Sequence, residues 1–191
     1  MIRTLRGVLV SIASFAVLGA ALVAAPGCAT KPDVDDRPAF IHESRAATQW
    51  FKDNVRGLEA QLSQSAGYAV FPSVGQWGII ITGGKFGRGM LNRPNGSQMG
   101  WAAVSTGSLG LQAGVQGFKM LIVFEDEATL QGFKENTLEG SASAVAVAGD
   151  AGGSTTSPFY NGIAVYQGAN AGLMAGVNIG LDYLRYEPID Q

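Results

Sequence analysis

The chain has 191 residues and a net charge of −2, with 13 basic residues, 15 acidic residues and 27 glycines. Binding to nucleic acid depends on clustered Lys and Arg, and no basic block occurs here, so the composition argues against a nucleic-acid partner. The single cysteine excludes an internal disulfide.

The N-terminus has the layout of a secretory signal. Arg3 and Arg6 precede an uncharged, mostly apolar run over residues 7–25. A membrane-spanning helix needs roughly 20 apolar residues, and this run is close to that length. Residues 24–28 (AAPGC) contain a helix-ending proline and small residues just before the only cysteine, and they resemble a bacterial lipobox. We predict a signal peptide over residues 1–27 and a covalent lipid, such as palmitate, on Cys28.

Ala25 departs from the leucine usual in a lipobox, so ordinary secretion and a retained anchor stay open as alternatives. Ala29 follows the cysteine, and a residue other than Asp there favours sorting to the outer membrane, facing the periplasm, if the source is a double-membraned bacterium. Residues 28–38 are polar, and we interpret them as the lipidated cysteine and a tether. Three aspartates lie there, and we assign them to a solvated linker rather than to a cation site: Asp33, Asp35 and Asp36.

Residues 39–65 show the apolar period of an amphipathic helix. The apolar stripe contains Ala47, Phe51, Val55, Leu58 and Leu62, with Trp50 beside it. Such a helix packs its stripe on a sheet, or it lies on a membrane surface with Trp50 and Phe51 in contact with lipid. Both interpretations stay open, and packing on a sheet is the favoured one.

Short apolar or alternating segments separated by glycines follow, and they predict strands. The predicted strands cover residues 68–72, 77–82, 86–91, 100–106, 109–117, 118–124, 142–148, 161–167, 172–179 and 181–186. One helix is predicted over residues 125–136, with Asp126 as its cap and Leu130 and Phe133 on its inner side. The predicted fold of residues 39–191 is therefore α+β and mainly β. An N-terminal amphipathic helix precedes a glycine-rich, mainly antiparallel sandwich or barrel-like sheet with one inserted helix.

No catalytic apparatus is recognisable. His42 is the only histidine, and it has no cysteine or carboxylate cluster at metal-ligand spacing. No Gly-x-Ser-x-Gly motif occurs. We expect a protein that is not an enzyme and that needs neither a metal nor a cofactor.

Residues 83–89 (GGKFGRG) form a glycine-rich segment with two cations, Lys85 and Arg88. The segment lacks the ending of a nucleotide-binding loop. Together with Arg93, it is a candidate contact for an anionic lipid head group. The alternative is a glycine-rich hairpin with solvated cations.

Several strings resemble the SYLF domain family. These are residues 66–74 (AGYAVFPSV), 83–91 (GGKFGRGML), 108–114 (SLGLQAG), 123–124 (VF) and 171–177 (AGLMAGV), and their order matches from about Trp50 to Tyr186. The resemblance implies phospholipid binding, helped by an amphipathic N-terminal helix that corresponds to residues 39–65. The sequence departs from the family at residues 137–143 (TLEGSAS), where Leu138 and Ala142 replace a usual Trp and Asp.

The first functional hypothesis is a non-enzymatic phospholipid-binding module on an exported, membrane-tethered lipoprotein. The second is a structural or interaction protein of the cell envelope that binds another envelope protein. A third, a small transmembrane β-barrel, is disfavoured because residues 78–81 and 121–124 are apolar on both faces, which is typical of a packed core.

Overall fold

The computed structural model describes residues 30–79, 82–109, 114–137, 156–169, 172–173 and 183–189. Cys28, Leu138, Ala142 and the strand predicted over residues 142–148 lie outside the described residues. A short 3-10 helix, Val34–Asp36, comes first. The other elements are α1 (Arg37–Asn54), α2 (Leu58–Gln64), β1 (Gly67–Ile79), β2 (Thr82–Asn92), β3 (Gln98–Leu109), β4 (Gly114–Phe124), α3 (Glu127–Lys134), β5 (Ile163–Ala169), β6 (Gly172–Leu173) and β7 (Tyr183–Pro188). The predicted α+β, mainly β class is confirmed. None of the described helices is long and apolar enough to cross a membrane.

The predicted N-terminal helix is divided in two. The backbone N–H of Val55 bonds to the Phe51 carbonyl and ends α1, and Gly57 then takes a φ of +83° before α2 begins. A left-handed backbone suits glycine, because a Cβ atom makes this conformation costly. The break redirects the chain, so that Leu58 and Leu62 of α2 are buried on the same side as the stripe of α1.

The described strands form one antiparallel sheet in the order β6-β5-β4-β1-β2-β3-β7. The central strand β1 continues through Pro72, where the sequence predicted a strand end. The pairing of β1 with both neighbours shifts register between Val70 and Val74, which marks a bulge at the proline. Proline has no N–H for the ladder, and a bulge is where an interior strand tolerates it.

Each face of the sheet is covered by a different helix. The face under α1 and α2, which we call the α1 face, buries Tyr68, Val70, Leu121, Val123 and Tyr166 against Phe51, Val55, Leu58 and Leu62. The opposite α3 face buries Phe71, Met120, Ile122 and Phe124 against Leu130 and Phe133. Burial on both faces explains why residues 121–124 form a continuous apolar run.

The sheet curls around α3. The ring of Phe133 lies 5.0 Å from the ring of Phe124 on β4 and 6.2 Å from the ring of Tyr186 on β7. Four strand spacings separate β4 from β7, which is roughly 19 Å in a flat sheet. A single ring reaches both strands because the sheet bends toward the helix. Within α3, the Asp126 side chain accepts a hydrogen bond from the Thr129 N–H at 2.7 Å, as the predicted cap requires.

A buried hydrogen-bond network fastens α2 to β5. The hydroxyl of Tyr166 donates to Oε1 of Gln61 and accepts from the Ser157 N–H at 2.9 Å. Nε2 of Gln61 in turn donates to the Ser157 carbonyl at 2.9 Å. Burial raises the pKa of Tyr166 above its ordinary value, so its hydroxyl keeps its proton at neutral pH.

Tyr166→Phe is expected to lower the free energy of unfolding by about 1–3 kcal/mol, because it leaves a buried amide N–H and a buried carbonyl without partners. Urea denaturation at pH 7 measures the loss. Tyr160→Phe is the matched control, since Tyr160 is 56% exposed and should change little. The difference in unfolding free energy between the wild type and Tyr166→Phe should decrease as the pH rises beyond 10. Tyr166 then ionises more readily in the unfolded wild type than in the folded one, which destabilises the wild type alone. Equal stability of the two variants at pH 7 would contradict the network.

Candidate functional site

Two of the three cations predicted as lipid contacts, Arg88 and Arg93, lie in different parts of the fold. Arg88 is half-buried on β2 and, by strand alternation, lies on the α1 face with Met90. Arg93 is exposed in the turn between β2 and β3, roughly 16 Å along the chain from Arg88. The backbone of Lys85 pairs with Gln76 and Thr106, while its side chain lies outside the described part of the chain.

The two aromatic candidates occupy different environments. Phe51 is fully buried between α1 and the sheet, so it is not available to a lipid surface in this conformation. The packing interpretation of the apolar stripe is therefore confirmed. Trp50 is half-buried and makes an edge contact with Phe51 at 5.1 Å between ring centroids.

Trp50 is held between β4 and β5. The Nζ atom of Lys119 lies 5.3 Å from the centre of its ring, and the ring packs on the backbone of Gly168, where any Cβ atom would collide with it. An open groove of about 350 Å³ lies beside the ring, and its other lining residues are Glu43, Ala46, Ala47 and Pro72. One edge of the indole therefore reaches solvent while the rest belongs to the fold.

A second cavity lies on the other flank of α1, between this helix and the hairpin that joins β2 to β3. We call it the α1–hairpin pocket. Its volume is about 220 Å³, and the side chains that the argument uses are Ser44, Arg45, Thr48, Lys52, Tyr68 and Gln98. The hairpin approaches closely, because Gly96 lies near the Tyr68 hydroxyl and takes a φ of +83° that suits glycine.

Two cationic side chains line the α1–hairpin pocket. Arg45 and Lys52 line it, and none of the described residues that line it is acidic. Lys52 Nζ lies 3.3 Å from Glu59 Oε1, whereas no carboxylate among the described residues pairs with Arg45. Arg45 is exposed, so its guanidinium is accessible.

Neutral hydrogen-bonding groups form the inner wall. The Thr48 hydroxyl donates to the Ser44 carbonyl at 3.0 Å. Burial raises the pKa of Tyr68, so its hydroxyl remains protonated and can donate. The Ser44 hydroxyl is buried and has no hydrogen-bond partner among the described residues. Such a group carries a desolvation cost.

The sequence analysis did not single out Arg45 or Lys52, which lie off the apolar stripe of the helix, and it missed this pocket. The sequence did contain a sign of the pocket. Ser44 and Thr48 are one turn apart on the buried side of α1, where apolar side chains are expected. The opposite wall comes from Tyr68 and Gln98, which are distant in sequence, and only the fold brings them together.

The segment predicted as a tether lies against the domain from Thr30 onward. Thr30 is 9% exposed and Pro32 is buried. Lys31 Nζ forms a 3.0 Å salt bridge with Glu187 of β7, and Arg37 lies over the ring of Trp101 at 5.6 Å. The three aspartates of this segment are exposed, as expected of solvated side chains.

His42 is exposed on α1. Within the described ranges, no group of three or more His, Cys, Asp or Glu residues is arranged to hold a metal ion. No model of a known protein family matches the chain, and no curated protein matches it significantly. Statements about function therefore come from the residues and their arrangement in the fold.

Proposed function

We propose that this protein is an exported lipoprotein, acylated at Cys28, whose SYLF-like domain binds membrane phospholipid without catalysing a reaction. In a double-membraned bacterium it is anchored in the outer membrane and faces the periplasm. Support comes from the lipobox-like residues 24–28, from the SYLF-like strings, and from the arrangement of the domain next to the anchor.

The observation that carries the proposal is the short distance between the cysteine and the packed chain. Only Ala29 separates Cys28 from Thr30, which already packs on the domain. Two residue steps span at most about 7 Å. A lipid on Cys28 would thus hold the edge strand β7 and the start of α1 directly at the bilayer interface.

Two of the SYLF-like strings occupy the centre of the sheet. Residues 66–74 enter β1, and residues 83–91 make up most of β2, which pairs with β1. Residues 110–113 and 174–177 lie outside the described part of the chain. The strings therefore include the strands that carry Tyr68 and Met90, which border the α1–hairpin pocket.

Charge limits the strength of any attraction to anionic lipid. Removal of residues 1–27 takes away Arg3 and Arg6 and no acidic residue, so the net charge changes from −2 to −4. Three exposed aspartates also lie next to the anchor. Electrostatic attraction is therefore local, and the covalent lipid provides most of the membrane affinity.

Cys28→Ser is expected to leave unprocessed or soluble protein, because it removes the acyl acceptor. Metabolic labelling with a fatty acid and fractionation of membranes measure the change. Ala29→Asp is the matched control: it keeps the acyl acceptor but should redirect labelled protein to the inner membrane. Absence of label on the wild type, or a Cys28→Ser protein that stays equally membrane-bound, would contradict the lipoprotein assignment.

Residues 29–191 without lipid contain every described contact, and we expect them to bind vesicles weakly. Replacement of Lys85, Arg88 and Arg93 by Gln should weaken binding to anionic phosphatidylglycerol vesicles and reduce its salt dependence, since each basic residue near the surface contributes about 1 kcal/mol. Trp50→Ala should instead reduce the binding that persists on neutral phosphatidylcholine vesicles at high salt.

Co-sedimentation over both vesicle types and several salt concentrations separates the electrostatic contribution from the apolar one. A thermal melt of each variant checks that Trp50→Ala still folds. If the wild-type domain ignores every vesicle, the lipid-binding proposal fails, and an envelope protein becomes the partner to seek.

A further inference from the structure

We propose that the α1–hairpin pocket binds a small phosphate ester that carries free hydroxyl groups, of the glycerol phosphate class. The inference rests on the proposed function where the ester is the head group of an anionic phospholipid. A soluble polyol phosphate offers the same chemistry, and the experiment below distinguishes the two sources.

The positive charges of two side chains in the pocket favour an anionic ligand. Arg45 and Lys52 border the same cavity, and its described lining contains no carboxylate, although Lys52 also pairs with Glu59 outside the lining. A chain whose acidic residues outnumber its basic ones concentrates two cations here. A guanidinium group binds phosphate through two parallel hydrogen bonds, and a lysine adds a point charge.

The uncharged wall of the pocket favours a ligand that carries hydroxyl groups beside its phosphate. Tyr68 and Thr48 present hydroxyl groups, and Gln98 presents an amide that both donates and accepts. Ser44 also lines the cavity, and its hydroxyl is shielded from solvent and lacks a partner among the described residues. A ligand with its own hydroxyl groups can form hydrogen bonds with Tyr68 and Gln98 at this wall in addition to those of its phosphate.

The size of the cavity restricts the ligand. Pockets for drug-sized molecules have volumes of about 300–1,000 Å³. The α1–hairpin pocket, at about 220 Å³, suits a head group and not an acyl chain. A phospholipid bound here would keep its acyl chains outside the pocket.

The pocket lies toward the same end of β3 as the residues that contact Lys31. Trp101 pairs across the sheet with Glu187, which binds Lys31. Gln98, at the pocket, precedes Trp101 by three residues on β3, which is roughly 10 Å. A lipid on Cys28 therefore brings the pocket close to the head groups of the bilayer.

Isothermal titration of residues 29–191 with sn-glycerol 3-phosphate tests the pocket directly, with glycerol and inorganic phosphate as partial ligands. We expect the ester to bind more tightly than either partial ligand. Arg45→Gln and Lys52→Gln should each weaken the binding about tenfold or more, because each removes a charge-assisted hydrogen bond. Arg56→Gln is the control, since Arg56 is an exposed cation outside the pocket lining and its loss should change the affinity little.

Vesicle binding is the second measurement, and it distinguishes failure of the pocket proposal from failure of the lipid function. Binding of the ester that is lost in Arg45→Gln but not in Arg56→Gln supports the pocket, even if vesicles do not bind, in which case the ligand is soluble and the lipid function fails. Vesicle binding that Arg45→Gln leaves unchanged, with no binding of the ester, overturns the pocket and leaves the lipid function standing. If neither the ester nor the vesicles bind, both the pocket and the lipid function are overturned. Equal effects of Arg45→Gln and Arg56→Gln overturn the pocket, because they indicate loss of general charge alone.

Discussion

The packing of α1 across the sheet is the interaction on which the rest of the structure depends. Phe51 and Val55 are buried against Leu121, Val123 and Tyr166, so the helix covers β1, β4 and β5 together. Full burial of one such side chain stabilises the fold by about 1.5–3 kcal/mol. The docked helix also forms one wall of the α1–hairpin pocket on one flank and of the Trp50 groove on the other. A displaced helix would remove both features and expose the apolar face of the sheet.

Local signals predicted α3 well because its determinants are close in sequence. Asp126 caps the helix, and Leu130 and Phe133 face the sheet one turn apart. The predicted strand ends were wrong where nonlocal pairing overrides the local signal. Pro72 ends a strand in most contexts, but here a bulge allows β1 to continue between two partners. Gly57 divides the N-terminal helix through a local feature, its left-handed backbone. The apolar periodicity of the sequence does not reveal this feature.

The candidate site was less predictable than the fold. The apolar stripe favoured packing of Phe51 on the sheet over contact with a membrane. The structure confirms this packing, because Phe51 is fully buried. The pocket depends on residues from α1, β1 and β3 that no sequence spacing brings together. Cations on an exposed helix face have the same appearance in sequence whether they are solvated or border a cavity. The hydroxyl groups of Ser44 and Thr48 on the buried side of α1 were the only local sign of a polar space beneath the helix.

The central claim is that this domain meets phospholipid with α1 docked on the sheet and with the pocket side toward the bilayer. Hydrogen–deuterium exchange of residues 29–191, with and without phosphatidylglycerol vesicles, tests it most directly. We expect the amides of α1 to stay protected, and the hairpin at residues 93–98 to gain protection when vesicles are added. Faster exchange across α1 on vesicles, as a helix leaving the sheet for the bilayer would show, or protection gained only at residues far from this end, would contradict the account.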